Sequence, residues 1–206
     1  MEDVMPDGEL ANMVATLMQS RQTILPKRLS APAPDAKQLL LILEAAATAP
    51  DHGQLLPWRF VLVPSEVRAG LAEVFGSALH ERDPLASPEQ VRQAREKAYR
   101  SPFLLLVIVD GRRGDPDIDL NERIVSAGCA VQNMLLMATA LGYGSALTSG
   151  KALKSVGLRS FFNLTDGEHA LCFVSIGTVL SCKHQRLRPM VADYVSTLSS
   201  DGTSDG

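Results

Sequence analysis

Seven consecutive apolar residues, Phe103 to Val109, stand between Pro102 and the pair Asp110-Gly111. A run of that length with no polar position to turn toward water is expected as a central strand buried on both faces, so other layers must cover both sides of its sheet. Those layers are legible as helices. The longest pattern runs from about Leu120 to Leu141, with positions 120, 124, 127, 128, 131, 134, 135, 138 and 141 at helical spacing and further apolar surface from Val125, Cys129, Leu136 and Met137. A helix apolar nearly all round is expected to be buried nearly all round, either as an ordinary central helix or as one that also joins a subunit interface.

The remaining elements follow from the same signals. A helix is expected over about Glu9–Ser20, with Leu10, Met13, Val14, Leu17 and Met18 as a core-facing stripe. Prolines at 26, 32 and 34 prevent its continuation. Asp35 reads as the N-cap of a helix to about Thr48, and Trp58 to Pro64 as a strand. Helices over about 66–80 and from Pro88 to about Arg100 are separated by a polar, turn-rich stretch, and this middle section reads as a peripheral lid or cover. A short strand near 144–148, a small helix near 152–158 and a strand over 170–179 complete the pattern. The expected organisation is a loose amino end at 1–8, one domain over 9–198 that ends in an extended arm, and a disordered tail at 199–206.

Composition narrows the function. Net charge is −3, without a basic stripe interleaved with aromatics, so nucleic acid is not an expected partner. Cys129, Cys172 and Cys182 form no CxxC pair and are odd in number, against a disulfide framework or structural zinc. No long apolar span or signal peptide is legible, and a soluble protein of the reducing cytoplasm is expected, with no membrane association. His52, His80, His169 and His184 lack ligand spacing, so no metal site is expected. Leu141 to Lys151 lacks the third glycine of a dinucleotide fingerprint and is not a hydrolase nucleophile elbow.

Several polar groups stand out. The loop Ala49-Pro50-Asp51-His52-Gly53-Gln54-Leu55-Leu56-Pro57-Trp58 presents donors and acceptors between two prolines, as a binding loop does; a plain connection whose Trp58 packs inward is the alternative. Arg21, Gln22 and Thr23 offer a guanidinium, an amide and a hydroxyl suited to phosphate or polyol oxygens, although a solvated helix end is the favoured reading when they are taken alone.

Taken in order, the Arg-x-Thr segment after the first helix, the Pro-x6-Pro-Trp loop, the long helix ending in Leu-Gly-Tyr-Gly-Ser, the Ser149-Gly150 turn and the late Gly177-Thr178 followed by basic residues resemble the FMN-dependent nitroreductase family. The Ala-Pro-Asp-His...Pro-Trp loop is similar to that of its minimal bacterial members. The resemblance implies an α+β fold: a three-layer sandwich with a central, mainly antiparallel sheet flanked by helices, dimeric, with two FMN sites at the interface. It implies that Arg21, Gln22 and Thr23 contact phosphate, ribityl and ring-edge atoms, and that Arg186 or Arg188 neutralises the phosphate. His52 and Gln54 would reach the flavin's polar edge from the other subunit, and Thr148, Ser149 and Gly150 would lie against the ring. Leu25 stands where many members carry a basic residue near flavin N1, so Lys27 or Arg28 is the expected substitute. Lys151 is read as a surface lysine.

The implied activity is transfer of electrons from NADH or NADPH through FMN to nitroaromatic, quinone or related small-molecule acceptors by a ping-pong mechanism. No side chain is required as nucleophile or base; His52 is a candidate proton donor, with a plain cofactor hydrogen bond as the preferred role. Flavin breakdown, dehalogenation and non-catalytic flavin binding are the alternatives.

Overall fold

In the computed structural model, residues 8–181, 187–198 and 204–205 are described. Strand β3 (Phe103–Asp110) lies inside the sheet, and Leu105, Leu106, Val107, Ile108 and Val109 have no exposed surface. On one side it pairs with β2 (Trp58–Leu62) and on the other with β5 (Glu168–Val179). The outer side of β5 is shared by β4 (Gly144–Thr148) and β1 (Leu29–Ser30), which occupy successive stretches of it. All four ladders are antiparallel; a single isolated bridge, Thr23 to Ser145, is parallel.

Alternation along β3 divides the core in two. Leu105, Val107 and Val109 join a cluster with helices α2 (Ala36–Ala46) and α5 (Leu120–Ala140). Leu104, Leu106 and Ile108 join one with α3 (Arg68–Arg82) and α6 (Val156–Phe161). The three-layer α+β arrangement expected from the sequence is therefore present. Helix starts follow local chemistry: Asp35 and Gln38 form a reciprocal capping box, and Asp119 Oδ1 accepts from the amides of Asn121 and Glu122. Tyr143 donates to Gln38 Oε1 at 2.7 Å, which ties the approach to β4 onto α2.

Three expectations are corrected. The apolar stripe of α1 (Glu9–Ser20) is not core: no residue of α1 is buried, and Met13 is 59% exposed. Both sheet faces are already filled by other helices, so α1 can only lie outside them, against α5. Helix α5 is not buried on all sides, since Val125 is 65% exposed and the space beside Gly128 is open. The middle section is not simply a cover, because Leu71 and Ala72 of α3 belong to the second core. Helix α4 (Pro88–Glu96) packs outside α3, held by Arg95–Glu73 at 2.6 Å and by Gly76, where a Cβ would come within 2.9 Å of Arg95 Nε. At the carboxyl end β6 (Thr197–Leu198) pairs with β7 (Ser204–Asp205). Residues 1–7, 199–203 and 206 lie outside the described residues.

Two buried guanidiniums organise loops. Arg123, 1% exposed, donates to the carbonyls of Ile118, Asp110, Arg113 and Asp115, which holds the 111–119 loop against α5. Arg68 donates to the carbonyls of Val63, Ala98 and Ser101, and burial lowers its pKa. Each supplies several donors in one rigid plane to backbone carbonyls of separate residues.

Arg59 and Glu168 form a two-pronged ion pair, at 2.6 and 3.1 Å, across the far edge of the sheet. The Arg59 hydrogen bond, helped by the Thr165 amide, holds the Glu168 carboxyl down at about 2. A folded-state pKa depressed from 4.5 contributes stability above the unfolded value and loses it as pH falls from about 4.5 toward about 2. Because Arg59 is partly exposed, screening reduces the effect to about 2 kcal/mol. Urea unfolding of Glu168→Gln at pH 7 should show a loss of about that size, shrinking as pH approaches 3.

Candidate functional site

The Arg21–Thr23 segment leaves α1 and runs beside β4, where the Ile24 amide donates to the Ser145 carbonyl at 2.9 Å. Arg188 comes back over the same segment and donates from Nη2 to the Arg21 carbonyl at 3.1 Å. Two guanidiniums, the Gln22 amide and the exposed Thr23 hydroxyl are thus gathered at one edge of the sheet. The guanidinium of Arg21 makes no hydrogen bond among the described residues. Arg186 lies outside the described residues.

Strand β4 carries the chain from this edge into the turn Thr148-Ser149-Gly150, which borders a cleft of about 780 Å³. Leu25 and Lys27 line the same cleft, as does Lys151. Of the two substitutes expected for the basic residue missing at 25, Lys27 lines the cleft that the turn borders, and Arg28 is not among the lining residues. Lys151, expected as a plain surface lysine, is part of the cleft wall.

The 51–56 loop is organised by its own backbone. Gly53, Gln54 and Leu56 have φ of 67°, 52° and 46°, and Asp51 accepts the Leu56 amide at 2.6 Å. Left-handed geometry at two non-glycine residues costs on the order of 1 kcal/mol or more each, and such strain collects where a loop must present particular groups. Trp58 packs inward and donates to Ser126 Oγ at 3.1 Å, as the plain-connection reading expects, while the exposed His52 meets Glu122 of α5 at 2.7 Å. Within one protomer His52 and Gln54 do not join the other candidates. They precede β2, at the sheet edge opposite β4 and β1.

The donor set suits a phosphorylated, polar-edged aromatic cofactor. Two guanidiniums fit a dianionic phosphate, and the open space beside Gly150 lets a flat ring approach the backbone. In β4 the Ser145 hydroxyl is fully buried, with no hydrogen-bond partner among the described residues. Protein-based chemistry has less support. Burial pushes the Cys172 thiol up to about 11, so it is no nucleophile at neutral pH. Among the described residues no group of three or more His, Cys, Asp or Glu side chains could hold a metal ion, and no helix is long and apolar enough to cross a membrane.

The sequence pattern that defines the Nitroreductase family matches residues 18–178. A protein of Haemophilus influenzae, provisionally named an NAD(P)H nitroreductase, is 33% identical over 187 residues, covering 89% of this chain and 98% of its own. The fold is similar to a nitroreductase-like protein of Bacillus cereus, with TM-score 0.77 and 18% identity over 91% of this chain and 96% of that one. It is also similar to a nitroreductase of Bacteroides fragilis solved with bound FMN, with TM-score 0.68 and 19% identity over 90% and 98% of the two chains.

The unpartnered Ser145 hydroxyl yields a test that needs no activity. A buried hydroxyl without a partner contributes nothing to folding, so Ser145→Ala should leave unfolding free energy within about 0.5 kcal/mol of wild type or raise it. Chemical denaturation of the ligand-free protein measures this; a loss above ~1 kcal/mol would reveal a hydrogen bond at Oγ.

Proposed function

The chain belongs to the nitroreductase family, and from that premise we propose that it is an FMN-dependent oxidoreductase working from NADH or NADPH toward nitroaromatic, quinone or related acceptors. The observation that carries this reading is the meeting of three distant stretches, Arg21–Thr23, Ser145–Gly150 and Arg188, at one sheet edge. Bound FMN would supply the redox chemistry, accepting a hydride and later delivering electrons to the second substrate.

The chain's own residues then have defined tasks. Arg21 and Arg188 hold the phosphate by charge-assisted hydrogen bonds, with Arg186 as a further candidate. Gln22 and Thr23 serve the polyol and ring edge, and the Thr148-Ser149-Gly150 backbone and hydroxyls support the ring. Lys27 brings positive charge to a site where negative charge develops on reduction. His52 and Gln54 of a second copy complete each site. His52 holds a hydrogen bond at the cofactor edge, and Glu122 fixes its ring orientation through Nδ1.

A homodimer follows from the same reading. The exposed apolar residues Leu10, Met13, Val14 and Met18 of α1 and Val125 of α5 form surfaces that this chain does not cover. With them, residues 9–198 form one functional unit whose sites are shared between copies.

The absorption spectrum of freshly purified protein, with the released chromophore identified by mass, tests the cofactor directly. One FMN per chain in a dimer-sized peak is the expected result. A colourless protein that does not bind added FMN, or a flavin-bearing monomer by light scattering, would overturn the reading or its shared site respectively. Arg21→Ala should raise the Kd for FMN roughly 10- to 100-fold, the value of a charge-assisted hydrogen bond to phosphate. Unchanged affinity would remove Arg21 from the site.

A further inference from the structure

We propose that the cleft beside the Thr148-Ser149-Gly150 turn selects an anionic acceptor, a carboxylate carried on a flat apolar body. This rests on the oxidoreductase reading for the word acceptor, but the cleft's preference for an anion stands on its own geometry.

Five cations line the cleft: Lys27, Arg82, Lys97, Arg100 and Lys151. They come from four separate segments, the 26–28 turn, the end of α3, the turn after α4 and the turn after β4. Among the described residues no Asp or Glu lines it, in a chain whose net charge is −3. None of the five side chains makes an ion pair or hydrogen bond among the described residues. Their neighbours on α4 behave differently: Arg92 is held by Glu89 and Glu96, and Arg95 by Glu73. The two arginines of α4, neither of which lines the cleft, are thus neutralised, while the cations that line it carry no carboxylate partner among the described residues. Like charges around one concave, partly apolar wall repel one another and raise the local concentration of anions, so an anionic occupant relieves the arrangement.

The floor specifies the rest of the ligand. Phe75 and Phe173 meet edge to face at 5.7 Å, and Leu104 and Leu153 flank them. Such a surface takes a ring or a flat apolar body, while Gln90 and Gln93 add neutral polar groups at the rim. The turn proposed to support the cofactor ring forms another part of the wall, so a ligand seated here is next to the redox centre. A second source of the same charge is the extra phosphate of NADPH, and the experiment separates the two.

Calorimetric titration of the protein as purified compares 4-nitrobenzoate with uncharged 4-nitrobenzamide, and NADP+ with NAD+. At low ionic strength wild type should bind the carboxylate roughly ten-fold more tightly than the amide, with the preference shrinking as salt is added. Arg82→Glu/Lys97→Glu, at two exposed positions, should abolish the preference; Lys151→Glu, on the opposite wall, should lower it several-fold; Lys37→Glu, away from the cleft, should leave it unchanged. Equal affinities in wild type, no binding of either nitro compound, or a preference that survives the double substitution would overturn the proposal. So would a double variant that loses only discrimination of NADP+ from NAD+, since the charge would then serve the reductant. A flavin-free protein that still prefers the carboxylate would refute the oxidoreductase reading and leave the anion cleft standing. A flavoprotein without that preference would do the reverse.

Discussion

Burial of β3 on both faces is the constraint on which the rest of the structure depends. Leu104, Leu106 and Ile108 point one way and Leu105, Val107 and Val109 the other, so neither helical layer is optional. Burying a side chain of this size is worth about 1.5–3 kcal/mol, and losing either layer would expose three of them along with their partners on β5. The β5 strand gains its length from the same demand. It must cover β3 on one side while giving its other side to β4 and then β1, and that sharing brings the Arg21–Thr23 segment to Ser145. The candidate site is thus a product of the sheet's order rather than of any local motif.

Buried guanidiniums gather the backbone carbonyls of separate residues. Arg123 and Arg68 are nearly fully buried, yet among the described residues neither is paired with a carboxylate; each is spread over several backbone carbonyls, those of Arg123 at 110–118 and those of Arg68 at 63, 98 and 101. A buried charge is tolerable when every donor finds an acceptor, and the delocalised guanidinium is weakly enough hydrated to make this possible. The arginines of the proposed sites differ in that respect. Among the described residues the guanidiniums of Arg21, Arg82 and Arg100 make no hydrogen bond, as a group awaiting a ligand would.

Periodicity made the elements legible, because burial on one helical face or both strand faces writes itself into every third or second residue. The bounds of α1, β3 and α5 follow closely from it. What periodicity cannot state is which apolar face meets this chain and which meets another: α1 carries a stripe as regular as that of α2, yet α2 reaches the sheet and α1 does not. The candidate polar residues were singled out for a different reason. Arg21, Thr23 and Thr148–Gly150 lie in short segments matched by family resemblance, and the fold brings the first segment beside Ser145, on the strand that leads into the second. The cleft cations were not legible, since Arg82, Lys97 and Arg100 occur in charged helices where a solvated face is the ordinary expectation. Their meaning comes from which neighbours lack a carboxylate, a relation that exists only once α3 and α4 are packed.

The placement of the 51–56 loop gives a final argument about assembly. Its strained backbone presents His52 at the β2 edge, while Arg21, Thr148 and Arg188 gather at the β4 and β1 edge, and the whole sheet lies between. No small loop movement joins them in one protomer. Under the proposed dimer, two-fold symmetry resolves this without rearrangement: if the loop of one copy meets the opposite edge of the second, the second copy's loop meets the first, and two equivalent sites form together. The uncovered apolar residues of α1 and Val125 of α5 are then the adhesive that holds the edges in register. Disrupting that surface, for instance at Val125, would on this argument weaken cofactor binding although no atom of the residue need touch the cofactor.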